Sequence, residues 1–161
     1  MDKQLRAKIS LKNPAHFLAL GFGSGLAPFM PGTFGTLAAI PVFWLMADLS
    51  IWIYAAITLL ACVYGVVICA KTASDMGVHD HGAIVWDEIA GYLITMLMVP
   101  FSWQTVLLGF VLFRFFDIVK PWPISYLDKH IQGGLGIMAD DILAGVFAFA
   151  CLQGFIYFFP L

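Results

Sequence analysis

Acidic side chains are concentrated in residues 75–88, where four carboxylates occur within fourteen residues. The last two, Asp87 and Glu88, directly precede an apolar run that begins at Ile89. A carboxylate beside a hydrocarbon layer is costly unless it is paired, and a hard divalent cation would pair several at once. The alternative is a solvated loop that leads into a helix, whose dipole stabilises acids in its first turn. We favour the cation and expect Asp80, Asp87 and Glu88 to bind it.

Two histidines flank Asp80 in the same segment, His79 and His81. Imidazole has an ordinary pKa close to neutral, so either histidine could transfer a proton at physiological pH. For each of them a hydrogen-bonded role at the membrane interface is an equally good interpretation. Both histidines and Asp80 are therefore our candidates for catalysis.

A second cluster of charged residues follows the apolar run that begins at Ile89. In it Arg114 and Asp117 are three residues apart, and Lys120 directly precedes Pro121. Residues at this spacing share a helix face, so a local ion pair with a lysine reaching toward water would explain them. In the functional interpretation, Asp117 joins the metal ligands. Arg114 and Lys120 then neutralise phosphate oxygens, the arginine with its planar fork and the lysine as a point charge.

A third segment places Gly133 and Gly134 before two adjacent acids, Asp140 and Asp141. Glycines allow backbone N–H groups to approach an anion, and adjacent acids can bridge to metals. Each feature is weak alone, because glycine pairs also make ordinary turns and aspartate is common where helices begin. Together they indicate an anion contact at the glycines and metal ligands at the acids.

Other catalytic signatures are absent from the sequence. It has no Cys-x5-Arg phosphatase loop and no P-loop, and its three cysteines lie in apolar runs, where we interpret them as packing residues. A metal-activated water is the nucleophile that remains. His79, His81 or His130 could then protonate the leaving alkoxide.

The elements that must position these groups are those of a membrane protein. Hydrophobic residues make up 61% of the chain and charged residues 11%, against about half and about a quarter in soluble domains. Charge-free runs cover residues 49–70, 89–113 and 142–161, each near or above the roughly 20 residues that cross a hydrocarbon core. We predict an all-α, multi-spanning membrane helical bundle and a single domain over residues 1–161.

Turn and cap signals divide the bundle. Asn13 and Pro14 begin a short interfacial helix, and the glycines and prolines of residues 21–35 predict an irregular segment. We expect a helix from Thr33 or Thr36 to Asp48 that forms a hairpin with a helix from Ile51 to Ala70. Residues 89–113 form a second hairpin, whose two arms turn at Pro100–Trp103. A last helix runs from about Asp140 to the C-terminus.

The basic residues near the N-terminus predict that it lies in the cytoplasm. Five crossing segments then place residues 71–88 and 114–141 at the same cytoplasmic face. The formal net charge of −2 gives no indication of nucleic-acid binding. Oligomeric state stays open.

Four blocks of the sequence, taken together, resemble the phosphatidylglycerophosphatase A family of bacterial membrane lipid phosphatases. They are residues 21–35, 79–88, 114–123 and 130–141, in this order. The resemblance implies a Mg²⁺-dependent enzyme of the bacterial inner membrane, with its site facing the cytoplasm, that hydrolyses phosphatidylglycerophosphate to phosphatidylglycerol. With it we assign the metal to Asp80, Asp87, Glu88, Asp117, Asp140 and Asp141, and the phosphate to Ser24, Thr33, Arg114, Lys120, Gly133 and Gly134.

Three other functions are weighed against this one. A cation transporter would need polar groups near the bilayer midplane, but the apolar runs here are nearly free of them. A scaffold subunit would need no acidic cluster. A phosphatidyltransferase is the nearer rival, and only an activity assay separates it from a phosphatase.

Overall fold

The computed structural model describes residues 3–159, with side chains from Leu5 onward, and this part of the chain contains eight α-helices and no strand. The prediction of an all-α chain is confirmed. The helices are α1 (Lys3–Ala7), α2 (Pro14–Ala19), α3 (Pro31–Met46), α4 (Ile51–Met76), α5 (Trp86–Thr95), α6 (Trp103–Val119), α7 (Ile124–His130) and α8 (Gly133–Phe158).

The N-terminal segment is fixed to the end of α4. Asn13 caps α2 by accepting a hydrogen bond from the Ala15 N–H, and Pro14 takes the first helical position, as predicted. His16 Nε2 lies 2.8 Å from the Asp75 carboxylate of α4, and Lys8 donates to the Met76 carbonyl. These contacts place the basic N-terminal residues beside the segment that leads from α4 to α5.

The glycine-rich segment is more ordered than expected. A kinked 3-10 segment covers Gly21–Leu26, and α3 already begins at Pro31, so the expected start at Thr33 or Thr36 was too late. Proline suits the first turn of a helix because its missing N–H would have no intrahelical partner there. α3 begins close to the first residues of α5, because a Cβ built at Gly32 would overlap the Glu88 side chain.

Two helices, α4 and α8, are long and apolar enough to cross a membrane. Both exceed their predicted bounds, since α4 continues through the charged residues Lys71 and Asp75 to Met76, and α8 begins at Gly133 rather than near Asp140. The predicted end of α8 at residue 161 lies outside the described residues. The early start of α8 places Asp140 and Asp141 in its second and third turns.

The helix α8 is the centre of the bundle, because α4, α5 and α6 all pack on it. The predicted α5–α6 hairpin is present, although α5 ends at Thr95, five residues before Pro100. The prediction that α3 and α4 pack on each other as a hairpin is wrong, because α3 packs mainly on α5 and α4 packs mainly on α8.

Large apolar side chains cover the outer face of α4, where Trp52 is 83% exposed and Leu60 is 67% exposed. Such a surface suits hydrocarbon better than water.

Candidate functional site

A polar cavity of about 190 Å³ opens at one end of the bundle, where α5 and α8 begin and α6 ends. It brings together eight of the residues predicted for the site: His79, Asp80, Asp87, Glu88, Asp117, Lys120, Asp140 and Asp141. It is not lined by Ser24, Thr33, His81, Arg114, Gly133 or Gly134. The metal and phosphate roles of all these residues stay predictions.

Three carboxylates converge at the inner wall of the cavity. Asp87 and Glu88 lie in the first turn of α5, as predicted, and Asp141 comes from α8. One carboxylate oxygen from each lies within 4.8 Å of the other two. Three negative charges so close repel one another strongly, which makes this trio a candidate cation site.

The trio also has unused hydrogen-bonding capacity. Asp87 Oδ1, Glu88 Oε2 and Asp141 Oδ2 are buried and have no hydrogen-bond partner among the described residues. Buried polar atoms are nearly always satisfied, so atoms left without a partner in the chain call for a bound water, a ligand or an ion. A set of carboxylate oxygens is the donor set that a hard cation such as Mg²⁺ prefers, and the residues present therefore fit this ion.

Close packing of α5 on α8 brings the trio together. A Cβ built at Gly145 of α8 would overlap the Gly91 carbonyl of α5, and one built at Gly91 would lie 2.7 Å from the Asp141 carbonyl. Any larger side chain at these two positions would push the helices apart. The glycines thus set the distance at which Asp141 meets Asp87 and Glu88.

Arg114 and Asp117 form an ion pair on α6, with Nη1 2.5 Å from the carboxylate. This is the local pair that the sequence analysis gave as the alternative to roles on phosphate and metal. Their side chains are 15% and 13% exposed. Arg114 also lies behind Glu88, since a Cβ added to Gly32 would contact both side chains. Arg114 Nε is buried without a partner. The guanidinium therefore offsets negative charge at the back of the site.

Lys120 follows α6 in a left-handed conformation, with φ of 45°. Its ammonium lies 2.6 Å from Asp128 of α7 and 2.6 Å from Asp140 of α8. Burial lowers the pKa of Lys120, but the hydrogen bonds to both carboxylates outweigh it and hold the pKa above its ordinary value. Lys120 is thus a fixed positive charge on the cavity wall. Asp140 pairs with Lys120, whereas the next residue, Asp141, lies beside Asp87 and Glu88.

Asp128 lines the cavity but was not among the predicted site residues. It lies on α7, a helix that the sequence patterns did not predict. Its spacing of eight residues from Lys120 is no recognisable ion-pair signal, because the chain turns between α6 and α7. Only the fold brings the two side chains together.

The histidines differ in their surroundings. His79 lines the cavity, and its Nε2 accepts a hydrogen bond of 3.3 Å from the Gly133 N–H. His81 Nδ1 accepts from the Ala83 N–H and stabilises the turn before α5. His130 stacks on Tyr126 and donates to its carbonyl. Of the three, His79 is the one in contact with the cavity.

The predicted phosphate-binding glycines and hydroxyls do not line the cavity, although the Gly133 N–H donates to His79, which does. Gly134 packs against α4, where an added Cβ would overlap the Val66 carbonyl. Ser24 Oγ is buried without a partner, and Thr33 lies in the first turn of α3.

The chain is similar to known proteins over nearly its whole length. Residues 17–156 match the family model described as Phosphatidylglycerophosphatase A. A protein of that name from Escherichia coli (strain K12) is 50% identical over 154 residues, 95% of this chain and 87% of the relative. Another, from Haemophilus influenzae, is 52% identical over 88% of each chain.

A third relative, from Bacteroides thetaiotaomicron, is provisionally named a phosphatidylinositol-3-phosphatase. It is 38% identical over 86% of this chain and 93% of its own length. No solved structure matches the chain significantly.

Proposed function

This chain belongs to the phosphatidylglycerophosphatase A family, and we propose that it hydrolyses phosphatidylglycerophosphate to phosphatidylglycerol and phosphate at a divalent-metal site. The observation that carries the proposal is the convergence of Asp87, Glu88 and Asp141, whose carboxylate oxygens lie within 4.8 Å of one another. The substrate is a phosphate monoester on a lipid headgroup. Its hydrolysis requires charge neutralisation at the phosphate, a nucleophile and a proton for the leaving alkoxide.

Asp87, Glu88 and Asp141 would hold Mg²⁺. The chemistry that Mg²⁺ supplies when bound is stabilisation of charge on phosphoryl oxygens and activation of a water nucleophile. The rigid packing of α5 on α8 keeps the three ligands in place before the ion arrives, which reduces the ordering cost of binding it. Asp140 and Asp117 are each paired with a basic side chain, so we place them outside the direct ligands.

Lys120 is the positive side chain that contacts phosphate in this proposal. Lys120 lines the same cavity as the acid trio, and its ammonium carries its charge at neutral pH. Arg114 acts behind Glu88, where its guanidinium limits the repulsion within the acid cluster. This differs from the direct phosphate contact that the sequence suggested for Arg114.

His79 is the candidate for the proton donor. Because its Nε2 accepts the Gly133 N–H, the neutral ring carries its proton on Nδ1. To protonate a leaving alkoxide the ring must first take up a second proton on Nε2, which then gives up the Gly133 hydrogen bond. The imidazolium donates one proton to the alkoxide and returns to the neutral ring. His81 is the weaker candidate, because it does not line the cavity and its Nδ1 accepts a hydrogen bond in the turn before α5.

The lipid substrate fits a site at the end of an apolar bundle. The two long apolar helices are compatible with a membrane location, and the cavity opens where α5 and α8 begin, beside the basic N-terminal segment. Under the positive-inside rule we place this end in the cytoplasm and expect a multi-pass protein of the bacterial inner membrane. A headgroup at the membrane surface could then enter while its acyl chains stay in the bilayer.

The test is an assay of purified protein with phosphatidylglycerophosphate in detergent micelles. We expect release of inorganic phosphate with Mg²⁺, loss of release with a chelator and recovery on adding Mg²⁺ back. Asp141→Asn should lower turnover by at least about a hundredfold, whereas Asp48→Asn, at the turn between α3 and α4, should not.

Product analysis separates the alternatives. Transfer of the phosphatidyl group to an added alcohol without phosphate release would favour a transferase. A parallel reaction with phosphatidylinositol 3-phosphate tests the headgroup named for the Bacteroides relative. Wild-type turnover in excess chelator would contradict the metal site.

A further inference from the structure

We infer that Asp128 is a positioning residue that holds the Lys120 ammonium on the cavity wall, where phosphate binds. The inference rests on the proposed function and adds to it a residue that neither the sequence patterns nor the comparisons assign. It starts from one contact: Asp128 Oδ1 accepts a hydrogen bond of 2.6 Å from Lys120.

Lys120 is attracted by two acids on different helices. Asp140 on α8 accepts a hydrogen bond of the same 2.6 Å, and its side chain is 10% exposed, whereas that of Asp128 is 42% exposed. Asp140 therefore attracts the ammonium toward the buried wall, and Asp128 attracts it toward the open side. The observed position lies between them.

The backbone alone cannot fix that position. Lys120 is the first residue after α6, and its four-carbon stem has many rotamers. With Asp128 neutral, the ammonium would keep Asp140 as its single anionic partner and turn toward the buried wall. Phosphate would then have to break that pair, and its affinity would fall.

Asp128 itself need not touch substrate. A carboxylate repels phosphate, and its benefit here comes from orienting a cation that attracts phosphate. The predicted effect is therefore on binding rather than on the chemical step. Loss of a partly exposed charge pair is modest in proteins, so we expect a change of about three- to tenfold.

The experiment is a double-mutant cycle on the full-length protein, with Asp128→Asn, Lys120→Gln and the two combined. Asp128→Asn should raise KM for the lipid phosphate, and Ki for inorganic phosphate as a competitive inhibitor, by the same three- to tenfold, with kcat within twofold of wild type. In the Lys120→Gln background the Asp128 substitution should change neither constant. Asp128→Glu, which restores the charge, should recover most of the affinity.

Lys129→Gln is the matched control, because it removes an exposed charge next to Asp128 that makes no ion pair in the described structure. It should leave KM and Ki unchanged. The inference fails if Asp128→Asn leaves both constants at wild-type values, or if its effect persists without the Lys120 charge, which would mean that Asp128 only anchors α7. Asp128→Ser repeats the test should the asparagine variant be unstable.

These outcomes differ from a failure of the proposed function. If the wild-type protein releases no phosphate from the lipid, the proposed function fails before any variant is compared. If it does release phosphate and the cycle shows no coupling, only the role of Asp128 is refuted.

Discussion

Gly32→Ala should inactivate the enzyme without unfolding it. A Cβ at position 32 would overlap Glu88 Oε1 and would lie 3.2 Å from Arg114 Nη1. The overlapping atom is the end of a flexible side chain, so the Glu88 carboxylate can move away and the fold can adjust. The move takes Glu88 out of the acid trio, whose oxygens now lie within 4.8 Å of one another.

The expected magnitude follows from that displacement. A shift of about 1 Å in a reacting group costs roughly a hundredfold in rate, which corresponds to about 2.7 kcal/mol of activation free energy. The substitution should not lower folding stability, because alanine is favoured over glycine in a helix by roughly 0.5–1 kcal/mol. Activity and stability should therefore separate, with kcat/KM down about a hundredfold and Tm nearly unchanged.

Phosphate release and thermal unfolding of the purified variant measure the two quantities. Gly154→Ala on α8 is the matched control, because it makes the same change where nothing lies within 4 Å of the added Cβ. It should keep wild-type kcat/KM. A Gly32→Ala protein with kcat/KM within threefold of wild type would refute the reasoning, and so would a large fall in Tm, which would assign the loss to folding.

Three further predictions follow from the site and its location. Arg114→Lys should lower kcat/KM by about ten- to a hundredfold, because lysine keeps the charge but loses the planar fork that holds Asp117 beside Glu88; wild-type kinetics would contradict this. The orientation in the membrane can be tested with single cysteines in a protein whose native cysteines are replaced. Cysteines at the exposed positions Gly82 and Gln132 should resist an impermeant thiol reagent in intact cells, and one at Asp48 should react. The reverse labelling pattern would mean that the topology is inverted. Glycerol 3-phosphate should be hydrolysed with kcat/KM at least about a hundredfold below that of the lipid, because the binding energy of the acyl chains is lost, and equal efficiency would argue against a lipid substrate.

The sequence predicted the helices well where their signal was apolar and poorly where charges or glycines intervened. The predicted helix from Ile51 to Ala70 stops before Lys71, but Lys71 and Asp75 form a pair four residues apart that is compatible with continued helix. The sequence predicts Gly134 in a flexible segment before the last helix, where its backbone could approach an anion. In the fold it lies in the first turn of α8, where the missing side chain allows close contact with α4. Such tertiary contacts are not visible in local propensities.

The acids of the site were predictable as a group but not by role. Asp140 and Asp141 are adjacent, yet a helix rotates by about 100° per residue, so they point to different partners. Asp141 faces Asp87 and Glu88, and Asp140 faces Lys120. The direction of each depends on how α8 is rotated against α5 and α6, which only the packing of the bundle determines. For the same reason Asp128 could not be assigned.

If the acid trio binds Mg²⁺, as proposed, the stability of this protein should depend on that ion. Two ionised carboxylates within 4.8 Å of each other repel by about 3 kcal/mol at an effective dielectric constant of about 20. The trio therefore carries three negative charges only at a substantial cost, unless protons or a cation neutralise it. An ion that binds only the folded bundle relieves this repulsion, and its binding adds to stability in proportion to the logarithm of its concentration. Mg²⁺ should therefore raise the Tm of the wild-type protein progressively in the absence of any substrate, and should raise that of Asp141→Asn much less. An equal rise in both proteins, or none in either, would mean that the trio does not bind the ion.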